Sequence, residues 1–243
     1  MLKRQQGISL VELMVGLLLG AVALAAVSAL YQTIAVHTRR QLETAHLYSL
    51  IQHVLSLIEA DVRRSGYWHI RPGVDRLDDN PFQNSTNDIR AGSTPGEPEN
   101  SCLLLAYDID DDGKVGIGDC PSKHCPAWSD SDNVEQIGYR LKDGVLQFRY
   151  AGEQFSCDTG RWQALTDPGV SIVRFKVDLI AQCLDAENST GRCGTDSTQV
   201  WSRTLALELE GQWIGQPKTR RTSRQVVQVR NDHLVSVVAA AEF

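Results

Sequence analysis

One stretch near the start of the chain constrains the fold more than any other. Residues 13–36 form a run of 24 positions without a charged side chain. As an α-helix such a run extends about 36 Å, and the hydrocarbon core of a bilayer is about 30 Å thick. We therefore predict that residues 8–36 form a helix that is able to span a membrane once.

The residues before this run differ from an ordinary secretory signal, which places a short apolar stretch ahead of a small-residue cleavage site. Here Gly7 comes before the apolar run. Cleavage after Gly7 would remove only a basic leader, residues 1–7, and would leave the helix on the mature chain. A signal anchor that is never cleaved is the alternative.

Glu12 is the only charged residue in the segment 8–36. A carboxylate at the centre of a membrane costs roughly 2.5–3.5 kcal/mol, and less near the interface. If the mature chain begins at Ile8, Glu12 lies one helical turn from a free amino group. That amino group, or the amino group of a neighbouring subunit, would be a partner for the carboxylate.

Charge and motif content narrow the class of function. The 243 residues include 24 Lys and Arg against 30 Asp and Glu, a formal charge of −6, which argues against direct nucleic-acid binding. The basic run at residues 218–224 is a local exception, and we interpret it as a solvated strand edge or turn. No G-x-S-x-G, H-E-x-x-H or phosphate-loop motif occurs, so we predict neither enzymatic activity nor an organic cofactor.

The remaining pattern predicts an α+β fold. Apolar residues recur every three or four positions from Leu47 to Val62, so the helix is expected to continue as an amphipathic segment, residues 37–66, with Gly66 as its stop signal. Residues 67–101 are rich in Pro and polar residues, which predicts a long loop. Residues 102–243 are expected to form a β-rich head, with an Asp-Gly hairpin turn among its strands. The predicted strands are residues 102–107, 136–141, 145–150, 170–180, 204–211 and 226–229.

All six cysteines fall between residues 102 and 193. An even, clustered set indicates disulfides formed outside the cytoplasm. Cys183 and Cys193 enclose a short polar loop, so we predict that they pair with each other. The other four would pair among themselves in a pattern that the sequence leaves open: Cys102, Cys120, Cys125 and Cys157. The alternative is a zinc site that uses Cys120, His124 and Cys125. It would need a fourth ligand, for example Cys157.

Residues 108–119 have the spacing of a calcium-binding loop. Aspartate occupies places 1, 3, 5 and 12, and glycine occupies place 6, where an EF-hand loop turns sharply. We therefore predict calcium as the cofactor. Its predicted oxygen ligands are the side chains of Asp108, Asp110, Asp112 and Asp119 and the carbonyl of Lys114. A solvated acidic turn is the alternative.

The N-terminal features together resemble the prepilin cleavage and methylation motif of type IV pilins and type II secretion pseudopilins. These features are Lys3 and Arg4, the sequence from Gly7 to Glu12, and the long apolar run. The resemblance implies that a prepilin peptidase cuts between Gly7 and Ile8 and methylates the new amino group. It also implies that Glu12 registers the subunit in a filament. Ile8 departs from the Phe that is more usual at this place.

The head resembles PilW-like minor pilins, which are related to the J-type pseudopilins, in segments 102–108, 138–141 and 157–168. The resemblance implies a long helix packed on an antiparallel sheet, a single-pass location in the bacterial inner membrane with a periplasmic head, and later display on a pilus that drives twitching motility. The implied partners are the prepilin peptidase, other minor pilins and the major pilin. The alternatives are a type II secretion pseudopilin and a pilus-borne, calcium-dependent head for adhesion or DNA uptake.

Overall fold

The computed structural model describes residues 9–70, 76–116, 134–152, 154–185, 193 and 198–236. It divides into two compact units, residues 1–46 and 47–243. Helix α1 (Leu10–Arg64) contributes its first part to the first unit and its remainder to the second. All of the strands belong to the second unit.

The first unit contains the apolar part of α1. Its large apolar side chains are exposed around the helix, from Leu10 at 75% to Val36 at 51%. The most apolar window of α1 has a mean hydropathy of 2.5 and is long enough to cross a membrane. Such a surface is unfavourable in water, so this unit needs lipid or another protein around it.

The second part of α1 has the amphipathic pattern that the sequence predicts. All six apolar residues of the predicted stripe are buried: Leu47, Ile51, Val54, Leu55, Ile58 and Val62. The helix ends at Arg64, and Gly66 follows it with a positive φ of 73°. The predicted stop signal is thus confirmed, since glycine adopts this backbone conformation without steric cost.

The described residues of the head form two antiparallel sheets. The first has the order β1 to β5 and consists of β1 (Arg90–Gly92), β2 (Cys102–Ala106), β3 (Gln136–Lys142), β4 (Val145–Ala151) and β5 (Arg161–Ala164). The second consists of β6 (Val170–Asp185), β7 (Gln199–Trp213), β8 (Gln216–Gln228) and β9 (His233–Val235). In that sheet β7 pairs with β6 on one side and with both β8 and β9 on the other. The predicted α+β class is confirmed.

Several elements differ from their predicted extent. The segment predicted as a loop includes strand β1 and a short 3-10 helix (Leu77–Asp79). Strands β6 to β8 are longer than predicted, and β8 includes the polar run from Thr219 to Arg224. The additional strand residues share one cause, because backbone pairing to a neighbouring strand compensates for a weak apolar pattern.

The main core lies between the second part of α1 and the inner faces of both sheets. On β7 its members are Leu205, Leu207 and Leu209. Gly211 continues this face, and a Cβ there would lie 3.3 Å from Leu47 Cδ1, so the missing side chain allows close packing of the helix. A smaller cluster around Phe82 covers the other face of the first sheet.

Candidate functional site

Glu12 lies in the first turn of α1, in a part of the helix that is exposed all around. It is the only charged side chain in the described part of the predicted membrane segment. Gly7 and Ile8, the predicted cleavage and methylation positions, lie outside the described residues.

Four carboxylates converge at the end of β2. One oxygen of each of Asp108, Asp110, Asp112 and Glu135 lies within 4.8 Å of the others. Asp108 and Glu135 are buried, with 3% and 1% of their surface exposed. Three of these four residues were predicted as ligands, and Glu135 was not. Of the other predicted ligands, Asp119 lies outside the described residues, and Lys114 lies in the same loop, with its N–H bonded to Asp112.

The loop is shaped by its own aspartates. Asp108 Oδ2 accepts the Gly113 N–H at 2.9 Å, and Asp112 Oδ1 accepts the Lys114 N–H at 2.7 Å. Asp111 and Gly113 have positive φ values of 61° and 74°. These local bonds close the turn because aspartate side chains bond readily to backbone N–H groups a few residues further on.

Glu135 fastens the loop from the sheet side. Its Oε1 accepts the Ile109 N–H at 3.0 Å, and its Oε2 accepts the Gly116 N–H at 2.9 Å. Burial raises the pKa of Glu135 to about 7, against the lowering effect of these two bonds. The sequence offers little signal for this residue, because it precedes β3 and lies far from the loop along the chain.

The loop is also bonded to the segment that follows α1. Asp108 Oδ2 accepts the His69 N–H at 3.0 Å, and the Asp108 N–H donates to the Tyr67 carbonyl at 3.0 Å. Trp68 Nε1 donates to the Gly113 carbonyl at 3.0 Å. A shallow cavity of about 360 Å³ lies beside this junction. Its lining consists of Arg64, Tyr67, Tyr107, Asp108, Ile109 and Asp111.

Taken as a donor set, the cluster offers carboxylate oxygens and no nitrogen or sulfur. Oxygen ligands of this kind suit a hard divalent cation such as calcium, which takes six to eight of them. The residues present therefore fit the predicted cofactor chemically. Burial also raises the pKa of Asp110, with Asp112 and Asp108 adding repulsion, as expected of carboxylates crowded together.

A second buried carboxylate lies on α1 itself. Asp61 Oδ1 accepts the Tyr107 hydroxyl at 3.0 Å, and Asp61 Oδ2 accepts the Tyr139 hydroxyl. Burial raises the pKa of Asp61, and burial also raises the pKa of Tyr107 to about 12. These three residues join α1 to β3 and to the end of β2. An aspartate within an apolar stripe has no sequence pattern that would single it out.

The described cysteines form two disulfides. Cys183 pairs with Cys193, which confirms the predicted local bridge, and Cys102 pairs with Cys157. Cys157 is therefore not available as a zinc ligand, so that part of the zinc alternative was wrong. Cys120 and Cys125 lie outside the described residues.

The fold and the site together define a class of protein. A long apolar helix with a carboxylate in its first turn, continuous with the packing helix of an antiparallel head, is a type IV pilin-like architecture. Comparison with known families agrees. Residues 2–28 match the prokaryotic N-terminal methylation motif, and residues 40–229 match the model of prepilin peptidase-dependent protein B.

The second match covers most of the chain, so the chain belongs to the prepilin peptidase-dependent protein B family. The predicted resemblance to a minor pilin is thereby confirmed, and the chain is a pilin-type protein that depends on prepilin peptidase for its processing. No match emerges among curated proteins or among solved structures.

Proposed function

We propose that the chain is a minor pilin that takes part in the initiation and assembly of a type IV pilus. The observation that carries the proposal is the continuity of α1 from a methylation motif and a lone carboxylate to a stripe that packs the head. One helix thus anchors the chain and forms the filament core with its apolar part, and it packs against the sheets of the head with its second part. The role is structural and not catalytic.

Before assembly, the apolar part of α1 spans the inner membrane once, with the head in the periplasm. Two disulfides in the described head support an oxidising compartment. Prepilin peptidase cuts between Gly7 and Ile8 and methylates Ile8. The mature subunit then packs through α1 against other minor pilins and the major pilin, and Glu12 sets its register.

The test is deletion of the gene in a strain that is unable to retract pili. Surface filaments are counted while secreted proteins are assayed in the same cultures. Scarce pili with normal secretion support the proposal. Normal pili with blocked secretion would instead assign the chain to a type II secretion system, whose pseudopilins share the same assembly chemistry.

We further propose that the head binds calcium through Asp108, Asp110, Asp112 and Glu135. Two of these carboxylates are buried, and their mutual repulsion would be offset by a divalent cation. Asp119 and the Lys114 carbonyl, which the loop spacing predicts, would complete the set. Bound calcium would stabilise the junction between the loop and the segment after α1, and a head for adhesion or DNA uptake would depend on it.

Calorimetric titration of the full chain in detergent with calcium tests this site. An affinity in the range of extracellular calcium modules, about 10⁻⁴–10⁻³ M, is expected. An absence of binding heat at millimolar calcium would remove the proposal, while the pilin assignment would stand.

A further inference from the structure

Strand β8 forms one border of the second sheet. Among the described residues it pairs only with β7, along a register that runs from Thr204 opposite Gln228 to Gln212 opposite Arg220. At 13 residues it is a long edge strand, since most strands have about five or six residues. Long edge strands are templates for pairing with another chain.

The register shows which backbone groups of β8 face outward. The Val229 N–H donates to the Arg203 carbonyl of β7, and backbone direction alternates along a strand. The N–H and C=O groups at odd positions back to Arg221 therefore point toward β7. Those at the even positions point to the open edge. The even positions are Arg220, Thr222, Arg224, Val226 and Gln228.

The open edge of β8 is accessible to solvent, and α1 contacts the opposite face of the strand. All five even-numbered residues are exposed, and Val226 keeps 71% of its surface. On the opposite face, Gln52 of α1 donates to Ser223 Oγ at 2.8 Å, and Gln225 donates to Glu59 of α1. The helix thus fixes β8 while its outer edge is left available.

The charge of this edge selects the partner. From residue 219 to residue 228 the strand has three arginines and no acidic residue, in a chain whose formal charge is −6. A carboxylate oxygen of Glu210 lies 3.3 Å from a guanidinium nitrogen of Arg220, and Glu208 is equally close to Arg224. The guanidinium group of Arg174 on β6 lies 4.0 Å from both carboxylates, so three arginines share two acidic groups. Within the described part of the chain, the Arg221 side chain donates to the Arg220 carbonyl, which carries no charge. The edge therefore retains a positive charge.

We propose that β8 accepts an extended, acidic strand of another protein by strand addition. Backbone bonds to the even positions would supply the pairing, and carboxylates of the added strand would lie beside the arginines. A second copy of this chain does not fit, because two β8 strands would bring arginines together without an acidic partner. The inference is independent of whether the chain acts in a pilus or in a secretion system.

Fluorescence anisotropy with the full chain in detergent tests the proposal. The probes are a short blocked peptide of alternating Thr, Val and Glu, and its counterpart with Lys in place of each Glu. Two variants of one position separate backbone pairing from side-chain contact. Thr222→Pro removes an outward N–H, which an edge strand tolerates, and Thr222→Ala keeps it.

We expect the Glu peptide to bind about tenfold or more tightly than the Lys peptide. Thr222→Pro is expected to weaken Glu-peptide binding about tenfold, with an unchanged circular dichroism spectrum, while Thr222→Ala binds like the wild type. Arg221→Glu, which leaves Arg220 and Arg224 paired, should also weaken binding. Equal binding by the proline and alanine variants, equal binding of the two peptides, or a dimer through β8 in sedimentation would each overturn the proposal.

Discussion

Glu135 is the residue on which the proposed calcium site depends most directly. It brings a buried carboxyl group to a loop whose other acids lie close together in sequence. Replacing it as Glu135→Gln keeps the shape of the side chain but removes the charge. Because calcium affinity follows the number of charged ligands, we expect calcium binding to weaken about tenfold or more in calorimetry.

The matched control is Glu99→Gln, since Glu99 is exposed and lies outside the cluster. This variant should bind calcium as the wild type does. Equal affinities of the Glu135 variant and the wild type would contradict the assignment of Glu135 as a ligand. Loss of binding in both variants would point to a nonspecific charge effect.

Asp61 provides a prediction about pH. Burial raises its pKa, so the folded chain holds this proton more tightly than the unfolded chain does. The stability from the protonated group is fully present below the ordinary pKa of 3.8 and is lost as the pH rises through the folded pKa. Each unit of the shift corresponds to about 1.4 kcal/mol.

Asp61→Asn removes this titration and keeps a polar group for the two tyrosine hydroxyls. We therefore expect the unfolding free energy of the wild type to rise, relative to that of Asp61→Asn, as the pH falls from neutral toward 4. Urea unfolding followed by tryptophan fluorescence measures the difference. Asp79→Asn, at an exposed position, is the control, and a difference that shrinks with falling pH would refute the expectation.

The two described disulfides are expected to contribute different amounts to the stability of the head. The Cys102–Cys157 bridge spans 55 residues and joins the buried cluster around Phe82, whereas the Cys183–Cys193 bridge spans 10. In the chain-entropy model the longer loop contributes about 1.5 kcal/mol more to stability. The double variant Cys102→Ala/Cys157→Ala should therefore unfold at lower urea concentration than Cys183→Ala/Cys193→Ala.

The measurement is the free energy of unfolding of each double variant under the same conditions. Buried packing at Cys102 adds to the loss in the first variant, because its side chain is fully enclosed. Equal midpoints, or the reverse order, would show that loop length does not govern the contribution of these bridges.

Elements with a strong local signal were predictable from the sequence. The apolar stripe of α1 follows the helical period, and the turn at Asp143-Gly144 has the positive φ values of 52° and 74° that this pair favours. Strands β1 and β9 have three residues each and form only because a neighbouring strand is in place. These strands are stabilised by tertiary contacts, so no local sequence pattern predicts them.

The residues of the candidate site also differ in whether the sequence predicts them. Asp108, Asp110 and Asp112 follow a spacing set by one loop, so the sequence predicts them together. Glu135 precedes β3 and reaches the loop that follows β2. Asp61 lies on α1, while its partners are Tyr107, after β2, and Tyr139, in β3. Neither contact has a fixed spacing along the chain, which is why reading the sequence missed both.

In the proposed filament subunit, the two units have different surroundings. The first part of α1 exposes apolar side chains, whereas residues 47–243 enclose a core of their own. In the proposed role, such a chain would be stable in a membrane and would enter a filament only if neighbouring helices replaced the lipid. Glu12 is the charge that such an exchange has to accommodate, because a carboxylate in an apolar surrounding needs a partner.

Glu12→Gln tests this role in cells. In the proposed processing step the peptidase cuts after Gly7, so the variant should still be processed and retained in the membrane, which intact mass measures. It should be depleted about tenfold or more from sheared filaments, because the amide lacks the charge that pairs with a neighbouring amino terminus. Glu43→Gln changes a charge on the same helix beyond the apolar segment and should enter filaments normally. Wild-type amounts of the Glu12 variant in filaments would mean that register is set by apolar packing alone.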